Sequence, residues 1–420
     1  MPLEEIIVGR EPAEIVKYGK KGCGFLGKHV VGTGLESYLT NPVLIDLMKP
    51  HVMLIVGKRG TGKSYSGAVI AEEIMNLPEN MRKNLCALMI DTMGIYWSMK
   101  EANDEALLLL KEWKMKPKGF EIEFVIPSGL KEMYDRADIK YSGMFSVQPH
   151  ALSVGDWLLV FGIELNEPLG ILLERAVRKL GEKKYNIRDI INEVEKDERS
   201  GDKEKMGLVN RFMAAESWGI FSDTALSIEK FLKPGVATVI DVSLMEWSVR
   251  NLMVGILARE VYEVRTKARR EEELAKIAGE EKRKVPLTWF IMDEAHNFVP
   301  SLGKTAATDS LLRLVTEGRQ PGISTVFITQ RPNKLNETVI AQADLVLAHR
   351  LTAKPDLDAL SAIMQTYALE NIVKSISKLP RTKGAGLILD DNSERIFNVQ
   401  VRPRESWHAG GTAMAIEGKE

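Results

Sequence analysis

The sequence predicts an α/β protein with a mainly parallel central sheet and a helical insertion. Three observations lead there. Short unbroken apolar runs recur along the chain, stretches of helical spacing separate them, and several runs end in a polar residue suited to ligand chemistry. Strands covered on both faces read as continuous apolar runs rather than alternating ones, and parallel neighbours require helical crossovers.

The runs come in order. His51–Val56 enters a glycine-rich turn, followed by helical spacing over Ser64–Leu77. Leu85–Ile90 ends at Asp91, Ile122–Ile126 and Val236–Asp241 follow, and Leu287–Met292 ends in Asp293 and Glu294. Ser324–Thr329 ends in Gln330, and Leu345–Ala348 ends near Arg350. Residues 101–234 are mostly helical in pattern, with amphipathic segments at Leu169–Leu180 and Ile187–Val194. The expected division is a small β-rich segment at 1–48, a sheet core at 49–100 and 235–400, a helical insertion at 101–234, and a C-terminal arm at 401–420. The glycine-rich first segment reads as a hairpin or meander, and the doubly charged stretch Val261–Lys284 as a solvated helix end and loop.

Composition narrows the class. With 45% hydrophobic and 27% charged residues over 420 positions, the chain is a folded one. Lys+Arg 57 against Asp+Glu 58 excludes a uniformly basic coat for nucleic acid but leaves room for a local basic channel. Two cysteines, Cys23 and Cys86, make neither a disulfide framework nor a four-cysteine zinc site. No apolar run approaches the roughly 18 residues of a membrane span, and the acidic N-terminus lacks an apolar leader, so a cytoplasmic protein without a membrane partner is expected.

The densest chemical signal is Gly57, Lys58, Arg59, Gly60, Thr61, Gly62, Lys63 and Ser64, which fits the pattern G-x-x-x-x-G-K-[ST]. Glycines let successive N–H groups turn toward phosphate oxygens, and the helix that follows aims its positive end at them. Lys63 is placed to reach the β- and γ-phosphates, Ser64 to ligate Mg²⁺, and Tyr65 and Asp91 to line the same site. The buried strand before Asp293 delivers two carboxylates to the sheet edge where ligands bind. Asp293 is the candidate to hold the metal through water, and Glu294 the candidate general base. Gln330, on a strand set between loop and acidic pair, is suited to sense the γ-phosphate or orient water; its plainer reading is a strand cap. Arg319, after a predicted helix, suits a transition-state cation offered to a neighbour's nucleotide; its plainer reading is a helix C-terminal cation. ATP and Mg²⁺ are thus the expected cofactors of a Mg-dependent ATPase.

Asp293, Glu294, Ala295 and His296 spell the acidic box of DEAH helicases, but the residues after it hold the rest of the first sheet and leave no room for that class's second domain. The chain resembles instead the HerA/FtsK superfamily of ring-forming, DNA-pumping P-loop ATPases, and within it the archaeal HerA-like branch. The resemblance is carried by the phosphate loop, by Asp91, Gly94 and Tyr96, and by Gly235–Ser243. It continues through Asp293–Phe298, Glu317–Arg319, Thr329–Pro332 and the tail Arg402–Gly411. It implies a RecA/FtsK-like P-loop NTPase fold of the additional-strand, catalytic-glutamate type. It also implies a homohexamer with ATP sites between subunits, double-stranded DNA in the central channel, and a tail that braces the adjacent subunit. A role in DNA repair or end processing goes with that branch. A nuclease partner of the NurA type docks on such proteins through an N-terminal barrel, here reduced to about 50 residues before the phosphate loop. The loop Ser301–Thr305 offers Lys304 for DNA backbone contact, with a plain surface loop equally open. A secretion or conjugation ATPase of the same superfamily, or a nucleotide-gated scaffold, are the alternatives.

Overall fold

Each apolar run becomes a strand. The computed structural model describes residues 4–32, 36–222, 227–280, 285–363, 375–376 and 379–411. Its strands are β1 (Ile6–Val8), β2 (Cys23–Val31), β3 (Tyr38–Asp46), β4 (Val52–Val56), β5 (Leu85–Asp91), β6 (Glu123–Pro127) and β7 (Gly143–Phe145). They continue with β8 (Ala237–Asp241), β9 (Leu287–Met292), β10 (Ile323–Thr329), β11 (Leu345–His349), β12 (Ala385–Asp390) and β13 (Arg395–Val401). All join one 13-stranded sheet in the order β1-β3-β2-β13-β12-β11-β4-β10-β9-β5-β8-β6-β7.

From β11 through β7 every neighbouring pair is parallel. Successive side chains alternate between two apolar layers, as the twofold strand period requires. In β4, Met53 and Ile55 pack on one side with Ala68, Val69 and Ile70 of the helix Lys63–Asn76. Leu54 and Val56 pack on the other with Leu252, Ile256 and Leu257 of the long helix Trp247–Ile277. Both faces are therefore dry, which is why the strands carry no polar alternation.

The helical insertion also contributes to the sheet: β6 and β7 form its far edge before the chain turns into Val154–Phe161, Pro168–Leu180, Ile187–Glu195 and Asp202–Glu216. Capping boxes at Ser153 and Asn186 start two of these helices. Trp157 packs against Phe161, Phe212 and Phe221 at their centre. The stretch read as a solvated helix end continues the long helix to Ile277, with Val261, Arg265 and Ala268 buried; residues 281–284 lie outside the described residues.

Toward the other side of the sheet, whose edge is β1, β12 and β13 return antiparallel, and β13 pairs with β2 through Val399 and His29, Gln400 and Lys28, and Val401 and Gly27. The glycine-rich start does form an antiparallel hairpin, β2–β3, but that hairpin extends the central sheet. Gly27 fits there because a Cβ would come within 2.1 Å of the Gln400 carbonyl oxygen.

The tail expected to brace a neighbouring subunit is anchored to its own chain, and residues 412–420 lie outside the described residues. Arg402 Nη1 donates to Glu72 Oε2 over 2.8 Å, and its Nη2 approaches Glu73 at 2.5 Å. Arg404 Nε lies 3.4 Å from Glu72 Oε1, and the Ser406 amide donates to the same oxygen over 3.1 Å. Arg402, Arg404 and Glu72 have fully buried side chains. Burial alone would raise the Glu72 pKa, but Arg402, Arg404 and Ser406 bring it below the ordinary carboxylate value. Among the described residues, no helix is long and apolar enough to cross a membrane.

Candidate nucleotide site

The phosphate loop leaves β4 at Gly57 and closes on the helix Lys63–Asn76. Gly60 and Gly62 sit at φ 78° and 106°, where an L side chain is strained. A Cβ on Gly62 would also press on the Gly384 amide nitrogen at 3.1 Å. Lys58 carbonyl oxygen accepts from the Thr61 hydroxyl at 2.8 Å and from Lys63 Nζ at 3.2 Å, so Lys63 is folded over the loop. Among the described residues no side chain caps this helix, which leaves its first-turn amides for an anion. Burial lowers the Lys63 pKa, while Asp293 and Glu294 pull it back up. Lys58 and Arg59 are exposed beside the loop.

The strand order sets the acidic pair two strands away, with β10 between β4 and β9. The Ser64 hydroxyl donates to Asp293 Oδ2. Asp293 Oδ1 accepts the Glu294 amide at 2.8 Å, and burial raises the Asp293 pKa. Glu294 adopts φ 51° and ψ 40°, a left-handed conformation that costs a non-glycine residue about 1–2 kcal/mol. That twist turns its carboxylate toward Gln330, whose Nε2 donates to Glu294 Oε1 over 3.1 Å. Glu294 Oε2 has no hydrogen bond among the described residues, with His296 Nδ1 at 3.4 Å. Burial and then the Asp293 charge raise the Glu294 pKa. His296, also within reach of the Thr329 hydroxyl at 3.0 Å, is pushed down to about 4 by burial and by the Arg331, Lys334 and Lys63 charges, so it is neutral at pH 7.

Asp91 is fully buried and turned onto its own loop: its two oxygens accept the amides of Met93, Gly94, Ile95 and Tyr96 at 2.7–3.1 Å. The turn it shapes carries Tyr96 to within 3.4 Å of the Ser64 carbonyl. Burial and neighbouring Asp241 push Asp91 up to about 7. Tyr65 points to the tail, where its hydroxyl accepts the Arg404 amide at 2.5 Å and its ring meets His408 edge-on at 5.4 Å. Lys304 is held by both carboxylate oxygens of Asp309, at 2.9 and 3.2 Å.

Arg319 stands apart. It is exposed and precedes β10, whereas Gln330 follows it. A strand of seven residues at ~3.3 Å per residue separates the two by about 20 Å. Arg319 therefore cannot reach the phosphate loop of its own chain.

Two contributors had no local signal. His349, at the end of β11, bridges from the Ala385 carbonyl oxygen (2.9 Å) to the Ser66 hydroxyl (3.0 Å) in the first turn of the phosphate-loop helix. A carbonyl only accepts, so Nδ1 carries the proton and Nε2 faces Ser66. Tyr134 donates to Asp241 Oδ2 at 2.8 Å and fixes the strand beside Asp91. Both contacts join residues far apart in sequence.

A hydroxyl and a buried carboxylate in direct contact form an all-oxygen donor set of the kind Mg²⁺ takes alongside phosphates and water. Among the described residues no three His, Cys, Asp or Glu side chains gather as a metal cage. The oxygen pair fits a metal that would arrive with its nucleotide.

A phosphate loop after one strand, an acidic pair two strands away and a glutamine between them define a P-loop ATPase with an added central strand. The chain belongs to the family described as helicase HerA, central domain, which matches residues 26–261, more than half of its length. The DNA double-strand break repair helicase HerA of Pyrococcus furiosus is 28% identical over 152 residues, covering 32% of this chain and 28% of that protein. The probable helicase MJ1565 of Methanocaldococcus jannaschii is 28% identical over 91 residues, covering 22% of this chain and 18% of that one. The matched part thus spans less than a third of either relative. VirB4 of Thermoanaerobacter pseudethanolicus shares the fold, with a TM-score of 0.54 at 13% identity over 89% of this chain and 96% of its own.

Proposed function

We propose that this chain is a Mg²⁺-dependent ATPase that works as a hexameric ring, moves along double-stranded DNA, and has its sites completed by neighbouring copies. The observation that carries the reading is the Gln330–Glu294 contact beside the Ser64–Asp293 pair. Among the described residues it leaves one oxygen of the base, Glu294 Oε2, without a hydrogen bond.

Lys63 and the loop amides would bind the β- and γ-phosphates. Ser64 and Asp293 would hold Mg²⁺, which when bound draws negative charge off the phosphates. Glu294 would take the proton of the attacking water at Oε2, while Gln330 fixes Oε1 so that the carboxylate does not rotate away. The raised Glu294 pKa makes it a stronger base than an ordinary carboxylate. Arg319 of one copy would offer its charge to the nucleotide of the next, since it is remote from its own. The DNA double-strand break repair helicase HerA is the relative that supports DNA as the track; a duplex, an end-processing setting and a nuclease as a further partner are carried by the motif resemblance alone.

The test is particle mass by light scattering, with and without ATP and a DNA duplex, together with turnover on the same samples. A ring whose hydrolysis rises with duplex supports the proposal. Stimulation by single strands alone would favour a conjugation-type motor. A lone protomer that still hydrolyses ATP at the full rate would overturn the shared site.

A further inference from the structure

The turn that carries Arg319 is gripped from beneath by the long helix. Arg319 carbonyl oxygen accepts the Gly322 amide at 3.3 Å, and the Ile323 amide donates to Gly318 at 2.8 Å, so residues 318–323 close tightly before β10. Arg265 Nε and Nη2 both donate to the Pro321 carbonyl oxygen, at 2.9 and 2.6 Å. Its Nη1 donates to the Val285 carbonyl at 2.7 Å and to Glu272 Oε1 at 3.1 Å. The Arg265 side chain is 0% exposed. Burying a guanidinium is costly, and an apolar residue of similar volume would serve packing at lower cost. What an arginine adds is a rigid two-pronged hold on a single carbonyl.

A second grip lies upstream of Arg319. The Tyr262 hydroxyl donates to Glu317 Oε2 at 2.6 Å, and Arg313 Nε donates to the same oxygen at 3.0 Å. The Arg313 guanidinium also lies 4.1 Å from the centre of the Tyr262 ring. Arg313 is thereby committed within its own chain. Arg319, between the two grips, has no side-chain hydrogen bond or ion pair among the described residues and is exposed.

We propose that Arg265 and Tyr262 are positioning residues for Arg319, setting the turn from which it reaches a neighbouring copy's nucleotide. The inference rests on the proposed shared site and adds how the donated cation is aimed. An offset of about 1 Å at a charge that acts in the transition state costs up to ~10²-fold in rate, while nucleotide binding at the unaltered phosphate loop is spared.

The experiment uses full-length Arg265→Lys and Tyr262→Phe, each alone and mixed with Lys63→Ala or Arg319→Ala subunits, reading kcat, KM and nucleotide affinity. Arg265→Lys keeps the charge beside Glu272 but not the fork, and Tyr262→Phe keeps the ring under Arg313. Each alone should lose about tenfold in kcat with unchanged nucleotide affinity. Lys63→Ala subunits, which have a dead site but an intact Arg319, should restore turnover. Arg319→Ala subunits should not, because every donated cation is then absent or misdirected. Unaltered kcat in Tyr262→Phe and in a folded Arg265→Lys, alongside an inactive Arg319→Ala, would overturn the positioning role alone, as would rescue of either by Arg319→Ala. If Arg265→Lys fails to fold, Tyr262→Phe decides. Full activity of Arg319→Ala, or its failure to be rescued by Lys63→Ala, would instead remove the shared site, and the positioning role with it.

Discussion

Gln330 Nε2 donates to Glu294 Oε1 over 3.1 Å, joining the ends of two adjacent parallel strands. The pairing of β9 with β10 brings the two strand ends together, and the left-handed backbone at Glu294 turns its carboxylate onto Gln330. Replacement of either residue should therefore act on chemistry more than on folding. Glu294→Gln should retain ATP binding and lose roughly 10²–10⁴-fold in turnover, the range for removing a general base. Gln330→Ala should lose less, since the base remains. Lys63→Ala should abolish binding. Nucleotide titration and single-turnover hydrolysis separate these outcomes, and wild-type turnover in Glu294→Gln would dismiss the assigned base.

Acid should inactivate before it unfolds. A base works ionised, and burial with the Asp293 charge raises the Glu294 pKa. The acid limb of kcat should then lie above the ordinary carboxylate range. A limb at the unperturbed value, measured by pH-rate profile, would contradict the buried setting.

Stability should also depend on acidity. Burial pushes His349 and His408 down to about 4, the latter with help from Arg404 and Lys383. Between the ordinary histidine value near 6.5 and about 4 the unfolded chain takes up protons that the native chain refuses, so stability falls as pH drops through that window. The slope is about 1.4 kcal/mol per pH unit for each such group. Urea midpoints at pH 7 and pH 5 should show the fall, and His349→Leu should lower overall stability yet flatten the pH dependence.

The left-handed backbone at Glu294 predicts a trade between stability and activity. Glu294→Gly and Glu294→Ala should both be inactive, but the glycine variant should be the more stable by about 1 kcal/mol, because only it relieves the positive φ. Equal denaturation midpoints would show that the conformation is unstrained.

The tail offers a fifth test. Arg402→Ala would leave Glu73 without its cation and Glu72 with Arg404 alone inside the protein. Breaking one partner of a buried pair costs about 3–5 kcal/mol, and denaturant unfolding should read it. A change below about 1 kcal/mol would mean that water reaches the pair.

The sequence exposed the central strands because both faces of each are dry, and it exposed the loop and the acidic pair because their chemistry is local. Less legible were β12, where a glycine and a terminal aspartate shorten the apolar run of Ala385–Asp390, and β13, where Asn398 and Gln400 interrupt it. The pairing of β13 with β2 depends on partners at opposite ends of the chain, which no window of neighbouring residues reveals. The anchorage of the tail within its own chain was hidden for the same reason. Its trace was two adjacent glutamates, Glu72 and Glu73, within the apolar stretch Ala68–Met75 of the helix.

The junction of β2 with β13 bears on how the molecule is made. As the ribosome delivers the chain, the strand Cys23–Val31 emerges early with one ladder of backbone groups satisfied by β3 and the other waiting for Val399–Val401. Until those residues arrive, the nascent polypeptide presents an open ladder to any extended segment nearby. Shielding of that edge during translation should govern how much soluble protein a cell recovers.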